Sequence, residues 1–139
     1  MKEIILISCV SKKLNYPSKA KDLYQSPLFK YNLKYAISLN PDRIFILSAQ
    51  YGLLDLEKEV DPYDKTLNKM KKKERIEWSK LLLNQLKKKT DLSKDKFTFL
   101  AGNRYREFLI EEIKNYQVPM EKLPIGRQLH WLKDKVRKI

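Results

Sequence analysis

Glu3-Ile4-Ile5-Leu6-Ile7-Ser8 is the stretch whose reading decides the fold. Its apolar run shows no polar alternation and is rich in β-branched residues, which suits a strand buried on both faces of a parallel sheet. The same signature returns at Arg43-Ile44-Phe45-Ile46-Leu47-Ser48 and at Lys96-Phe97-Thr98-Phe99-Leu100. A short fourth strand is expected over residues 118–123, stopping at Pro124. Helical periodicity fills the gaps. Phe29, Leu33, Ala36 and Ile37 form a stripe that ends at Asn40-Pro41, where proline forbids continuation. A second helix is predicted over 68–88, with Trp78, Leu81, Leu82, Gln85 and Leu86 facing inward. A third follows Gly102, with Asn103 as N-cap and Tyr105, Phe108, Leu109 and Ile113 on one face. Ile125-Gly126-Arg127 opens a last helix carrying Leu129, Leu132 and Val136. Strands separated by such helices imply right-handed crossovers. The expected product is a single three-layer α/β/α domain over residues 1–139, with a small, mainly parallel four-stranded sheet.

Composition narrows the function classes. The chain has 139 residues, 42% of them apolar, enough for one real core and against wholesale disorder. No apolar run approaches the roughly 20 residues that span a bilayer, and the first run lacks a signal peptide's basic start and cleavage site. A soluble, cytoplasmic protein is expected. A single cysteine, Cys9, and a single histidine, His130, exclude an internal disulfide and a zinc site of the usual Cys/His kind. No metal or cofactor is expected. Neither a Gly-Lys-Ser/Thr loop nor a G-x-G-x-x-G fingerprint is present, which argues against nucleoside triphosphate hydrolysis and nicotinamide chemistry.

The net charge is +13 and it is uneven. Residues 1–64 contribute +1, residues 65–96 contribute +8 and residues 97–139 contribute +4. Such a surface attracts polyanions, nucleic acid above all. A lysine-rich surface typical of a low-GC or thermophilic host is the other reading. The acidic exception is the loop from Asp55 to Asp64, where five carboxylates face only Lys58. Solvation accounts for most of them. Asp61-Pro62-Tyr63-Asp64, however, sets two carboxylates and a ring about a rigid proline.

In an open parallel sheet, ligands bind outside the carboxyl ends of the strands, and helix N-termini there attract anions. The polar clusters fall at those ends. The first strand leads into Ser8-Cys9-Val10-Ser11-Lys12-Lys13 and the second into Ser48-Ala49-Gln50-Tyr51-Gly52. The third leads into Gly102-Asn103-Arg104-Tyr105 and the fourth into Gly126-Arg127-Gln128. Cys9 reads either as a small buried hydrophobe or as a nucleophile with a pKa lowered by Lys12 or Lys13, His130 then being its only available base. Gly102 serves either a sharp turn or the close approach of an anion or base.

Taken in order, the blocks resemble a family of small, uncharacterised bacterial, archaeal and phage proteins. They are Ile7-Ser8-Cys9-x-Ser11-Lys12-Lys13, Leu23-Tyr24-x-Ser26-x-Leu28-Phe29, Ile46-Leu47-Ser48-Ala49-x-Tyr51-Gly52-Leu53 and Pro62-Tyr63-Asp64-x-Thr66-Leu67. Trp78, Ala101-Gly102-x-x-Tyr105-x-x-Phe108-Leu109 and Ile125-Gly126-x-Gln128-x-x-Trp131-Leu132 complete the set. This resemblance extends loosely to the YaaA peroxide-stress proteins, which implies DNA binding and protection. More distantly, the chain is similar to the uracil-DNA glycosylase superfamily, which has a small parallel sheet and an Asp-Pro-Tyr turn like Asp61-Pro62-Tyr63. There the turn follows the first core strand, here it trails the second. The superfamily's His-Pro-Ser loop has no counterpart in this chain.

These observations lead to an expected glycosylase-like chemistry on a modified or damaged base of nucleic acid, DNA first, or on a nucleotide. Chemistry at a base requires its extraction from the stack. Asp61 or Asp64, with Tyr63, would support cleavage of the N-glycosidic bond. Ser8, Cys9, Gln50, Tyr51, Gly52, Gly102, Asn103, Tyr105 and Gln128 would contact the base, with Tyr51 or Tyr63 stacking and Gln50 or Asn103 reading its edge. Ser11, Lys12, Lys13, Arg104 and Arg127 would hold phosphates. Two alternatives stand beside this: a non-enzymatic DNA-binding or protective module, and a small-molecule nucleoside or nucleotide hydrolase or transferase.

Overall fold

The apolar runs do pair in parallel. In the computed structural model, which describes residues 1–8 and 12–138, β1 (Glu3–Ser8) lies at the centre of the sheet. It pairs in parallel with β3 (Arg43–Ser48), Ile5 opposite Ile44, and with β6 (Lys96–Leu100), Ile5 opposite Thr98. β7 (Tyr116–Gln117) extends the sheet beside β6 in parallel, and β4 (Gly52–Asp55) closes the other edge antiparallel to β3. The order is β4-β3-β1-β6-β7. A separate two-stranded ribbon joins β2 (Ser18–Lys19) to β5 (Glu59–Val60).

Alternation along the strands builds two cores. Ile4, Leu6, Phe45, Leu47, Phe97 and Phe99 face α3 (Lys72–Lys89), where Trp78, Leu82 and Leu86 meet them. Ile5, Ile7, Ile46 and Leu100 face the opposite layer. That layer comprises α1 (Ala20–Leu23), α2 (Pro27–Ser38) and α5 (Ile125–Arg137), with Leu23, Phe29, Ala36 and Leu132 buried against the sheet. The three-layer arrangement is therefore the expected one. No described helix is long and apolar enough to cross a membrane.

Several details differ from expectation, each for a local reason. The sheet has five strands, not four. Residues 118–123 form turns, with Glu121 N–H donating to Val118 O at 3.2 Å and Leu123 N–H to Met120 O at 3.1 Å. Pro119 has no N–H for a ladder, so pairing ends at Gln117. The added strand arises because the chain reverses after Ser48. Its Oγ accepts the N–H groups of Gln50 and Tyr51 at 3.2 and 3.0 Å, and Gly52 adopts φ +76°. The region after Gly102 is a single short helix, α4 (Asn103–Arg106), followed by a 3-10 turn at Ile110–Glu112. Tyr105, Leu109 and Ile113 are nonetheless all buried. Gly102, not Asn103, occupies the N-cap of α4. α3 begins at Lys72 because residues 67–69 form a 3-10 turn of their own. Leu81 and Ile37 point outward, 56% and 58% exposed.

Candidate functional site

The parallel strands deliver their carboxyl ends to one rim. At its centre Ser8 Oγ accepts the Gly102 N–H at 3.1 Å, tying the end of β1 to the segment that leaves β6. Beside this link lies a cavity of about 350 Å³. Ser8, Leu100, Gly102, Asn103 and Tyr105 come from the strand ends and α4, while Phe29 and Asn32 come from α2 and Ile125 and Gln128 from α5. Such a volume lies within the ordinary range of small-molecule sites. The first turns of two full helices border it, and neither turn carries an acidic residue that would offset the positive end of its dipole.

Carboxamides, from Asn32, Asn68, Asn103 and Gln128, are the commonest polar groups of this cavity. Gln128 donates from Nε2 to Leu123 O at 2.7 Å, which orients its side chain. Asn32 is only 3% exposed, and its Oδ1 has no hydrogen-bond partner. Arg106, anchored by a 2.6 Å bond to Ala101 O, supplies a cation, and Glu121 supplies a carboxylate. Tyr105 also lines the cavity, but it belongs to the core. It is 2% exposed, lies edge-on to Trp78 at 5.7 Å, and has its hydroxyl 3.4 Å from Thr66 Oγ1.

An open cleft of about 800 Å³ adjoins the cavity, and Asn68 lines both. Lys13, Lys65 and Lys69 give it positive charge, against the single carboxylate of Asp64. Lys13 Nζ stands 4.5 Å from the centre of the Tyr63 ring, a cation–π contact that holds the ammonium at the cleft wall.

The remaining expected residues scatter. Tyr51 and Asp61 line a different depression, with Asp55 and Lys58, and Gln50 and Gly52 line a further one beside Trp78. Tyr63 borders the cationic cleft, yet its hydroxyl accepts from Ser48 Oγ at 3.0 Å and shares a 2.8 Å bond with Tyr24. Tyr51 meets Tyr63 edge-on at 5.6 Å and donates to Asp61 O at 3.1 Å, so it is part of the same packed knot and not an open stacking platform. Gly52 is confined by Gln85, whose Oε1 accepts the Leu53 N–H at 2.9 Å. Lys12, Arg104 and Arg127 are exposed and line none of these depressions. Cys9 and Ser11 lie outside the described residues. Among the described residues there is no group of three or more side chains suited to a metal ion.

Polar residues of the rim that the sequence reading does not name as site residues include Ser26, Asn32, Asn68, Arg106 and Glu121 in the cavity, and Lys65 and Lys69 in the cleft. Asn32 did leave a signal. It stands three residues after Phe29 and four before Ala36, so a polar side chain occupies the buried face of an amphipathic helix.

Fold and rim together define a three-layer α/β protein with a carboxamide-lined cavity and a cationic cleft outside the carboxyl ends of its parallel strands. Residues 4–134 match the model of DUF6884, a family of unknown function, and the chain belongs to that family. No curated protein matches the chain.

Proposed function

We propose that the protein acts on nucleic acid or a nucleotide, taking a base or nucleoside into the strand-end cavity and phosphate into the Lys13–Lys65–Lys69 cleft. The observation that carries this reading is the meeting of the two compartments at Asn68, one small and carboxamide-lined, the other open and positive. Flat polar rings suit the first and phosphates suit the second. The proposed reaction is glycosylase-like hydrolysis. The C1′–N bond breaks, water adds its oxygen to C1′, and the proton it loses ends on the departing base. Of the two aspartates expected to assist, Asp64 lines the cleft and Asp61 does not, so Asp64 is the residue proposed to stabilise the cationic sugar or orient the water. The distant sequence resemblance of Asp61-Pro62-Tyr63 to the Asp-Pro-Tyr turn of the uracil-DNA glycosylase superfamily is a further support.

Incubation with single-stranded and duplex DNA carrying diverse modified bases, and with the matching nucleosides, tests the proposal. Mass spectrometry should find released base, and Asp64→Asn should lower the release about 100-fold or more while leaving binding intact. A chain that binds these substrates and releases nothing would overturn the hydrolytic step.

A non-enzymatic DNA-binding role is the second reading, supported by the charge of α3. Lys72, Lys73, Lys80, Lys87, Lys88 and Lys89 lie exposed on that helix, whose exposed carboxylates are Glu74 and Glu77. It predicts duplex binding that weakens steeply with salt and survives Asp64→Asn.

A further inference from the structure

We infer that a groove along α2 holds the nucleotides that flank the base, which makes the ligand of the strand-end site single-stranded nucleic acid and not a free nucleotide. The inference rests on the proposed nucleic-acid reading and names its substrate class.

The groove is an open depression of about 670 Å³ between α2 and residues 14–25. It adjoins both compartments of the rim. Leu14 lines the groove and the lysine cleft, and Phe29 lines the groove and the cavity. Its wall is apolar and uncovered: Tyr16 and Ile37 are 56% and 58% exposed, and the half-buried Tyr31 and Leu33 continue it. Contiguous apolar surface left in water marks a contact site.

The charge around the groove selects the partner. Lys30 and Lys34 are exposed one turn apart on α2, and Lys34 Nζ stands 5.2 Å from the centre of the Tyr31 ring. Lys133 Nζ, from α5, stands 5.6 Å from the same ring. Lys21 is engaged by Glu57 at 2.8 Å, and Asp22 is the one carboxylate among the described residues that line the groove. A second copy of the chain would set a +13 surface and the same lysines against themselves. Exposed rings beside ammonium groups suit a single strand instead, because its bases have free faces to stack and its phosphates follow within reach of the lysines. A duplex keeps those faces inside its own stack. An acidic peptide matches the charge but brings no regular row of flat rings to Tyr16 and Tyr31. The path is continuous as well: a strand with one base in the cavity and its phosphate in the cleft leads past Leu14 into the groove.

Competition against a labelled oligothymidylate of about twelve nucleotides, read by fluorescence anisotropy, tests this. The wild-type chain should bind the oligomer at least about tenfold more tightly than thymidine 5′-monophosphate or polyglutamate of the same length. Tyr16→Ala should weaken the oligomer about fivefold or more and change the binding of a duplex of the same length by less than about twofold. The double change Lys30→Glu, Lys34→Glu should weaken the oligomer about tenfold or more. In the wild-type chain, an oligomer carrying 5-iodouracil should photocrosslink to Tyr16 or Tyr31, as located by peptide mass spectrometry.

Equal affinity for monophosphate and oligomer, or oligomer binding unchanged by Tyr16→Ala, would overturn the groove and leave the nucleotide reading standing. Crosslinks confined to α3, whose lysines form a separate basic face, would do the same. Polyglutamate that binds as tightly as the oligomer and is weakened by Tyr16→Ala would put an acidic protein in the groove in place of nucleic acid. Failure of the oligomer to bind would overturn the groove, while base release from modified DNA and nucleosides still decides the proposed reaction. The crosslink uses the wild-type chain, so its result does not depend on how well a variant folds.

Discussion

The two halves of the strand-end rim are built from the same residue types and do opposite things with them. At the end of β3, Ser48 accepts two backbone N–H groups through Oγ, donates from it to Tyr63, and accepts the Trp78 indole N–H on its carbonyl at 3.0 Å. Gln85 bonds Leu53, and Gly52 is packed against Gln85. Those polar groups serve the fold. At the ends of β1 and β6, by contrast, a Cβ added to Gly102 would meet nothing within 4 Å, and the Asn103 and Gln128 side chains line a cavity. Serines, amides and tyrosines at strand ends mark a site only where their hydrogen bonds are left to make.

The two glycines give the sharpest way to break this contrast. Gly52→Ala should cost about 2–4 kcal/mol in urea unfolding, because a Cβ there combines a left-handed φ with a clash against the bonded Gln85 carboxamide. Gly102→Ala should stay within about 0.5 kcal/mol of wild type, since its φ of −64° and ψ of 159° suit alanine. Lost unfolded-state entropy helps that variant about as much as the poorer N-cap harms it. Equal costs at the two positions would erase the distinction between knot and site.

Serine substitutions extend the test at lower amplitude. Ser48→Ala removes the acceptor of two N–H groups and should cost about 1–3 kcal/mol, whereas Ser8→Ala removes one bond at the open rim and should cost about 1 kcal/mol or less. Tyr63→Phe should lose about 1 kcal/mol, with the ring still packed between Tyr24 and Tyr51. Base release, if Tyr63 is structural, should change less than threefold in that variant. A fall of two orders of magnitude would return Tyr63 to the reaction.

How far the sequence reveals this molecule follows the same division. Buried parallel strands are legible because they are continuous apolar runs, and β1, β3 and β6 fall where Ile4–Ile7, Phe45–Leu47 and Phe97–Leu100 place them. The edge strands are not. β4 depends on a reversal made by Ser48 Oγ and a positive φ at Gly52, and β7 is a two-residue pairing stopped before Pro119. The rim was legible as a location, through Ser8, Gly102, Asn103 and Gln128. Its partition was not, because the direction of Gln50 or Tyr51 depends on the turn that follows Ser48. Asn32 lies far from any strand end in the chain and reaches the cavity only because α2 packs across β1 and against α5.

The smallest effect lies outside the cavity, beside the β2–β5 ribbon. Glu57 is gripped by Lys19 and Lys21, each at 2.8 Å, and these hydrogen bonds hold its carboxyl down at about 2, against an ordinary value of 4.5. A depressed folded pKa stabilises the native state above the unfolded value and loses that contribution as pH falls toward the folded one. The clamp should therefore be intact above pH 4.5 and dissolve between there and about 2. Exposure keeps its share of stability small. A carboxyl-resolved NMR titration should place Glu57 near 2, and the double change Lys19→Ala, Lys21→Ala should return it toward 4.5. Asp55 gives the internal control. Burial works against its ionisation, but Lys89 and Arg43 outweigh that and keep its carboxyl below the usual value. The lysine changes should leave Asp55 where it is, because its cations come from α3 and β3 and not from the ribbon. Movement of both carboxyls together would show that the ribbon and the sheet edge respond to acid as one unit.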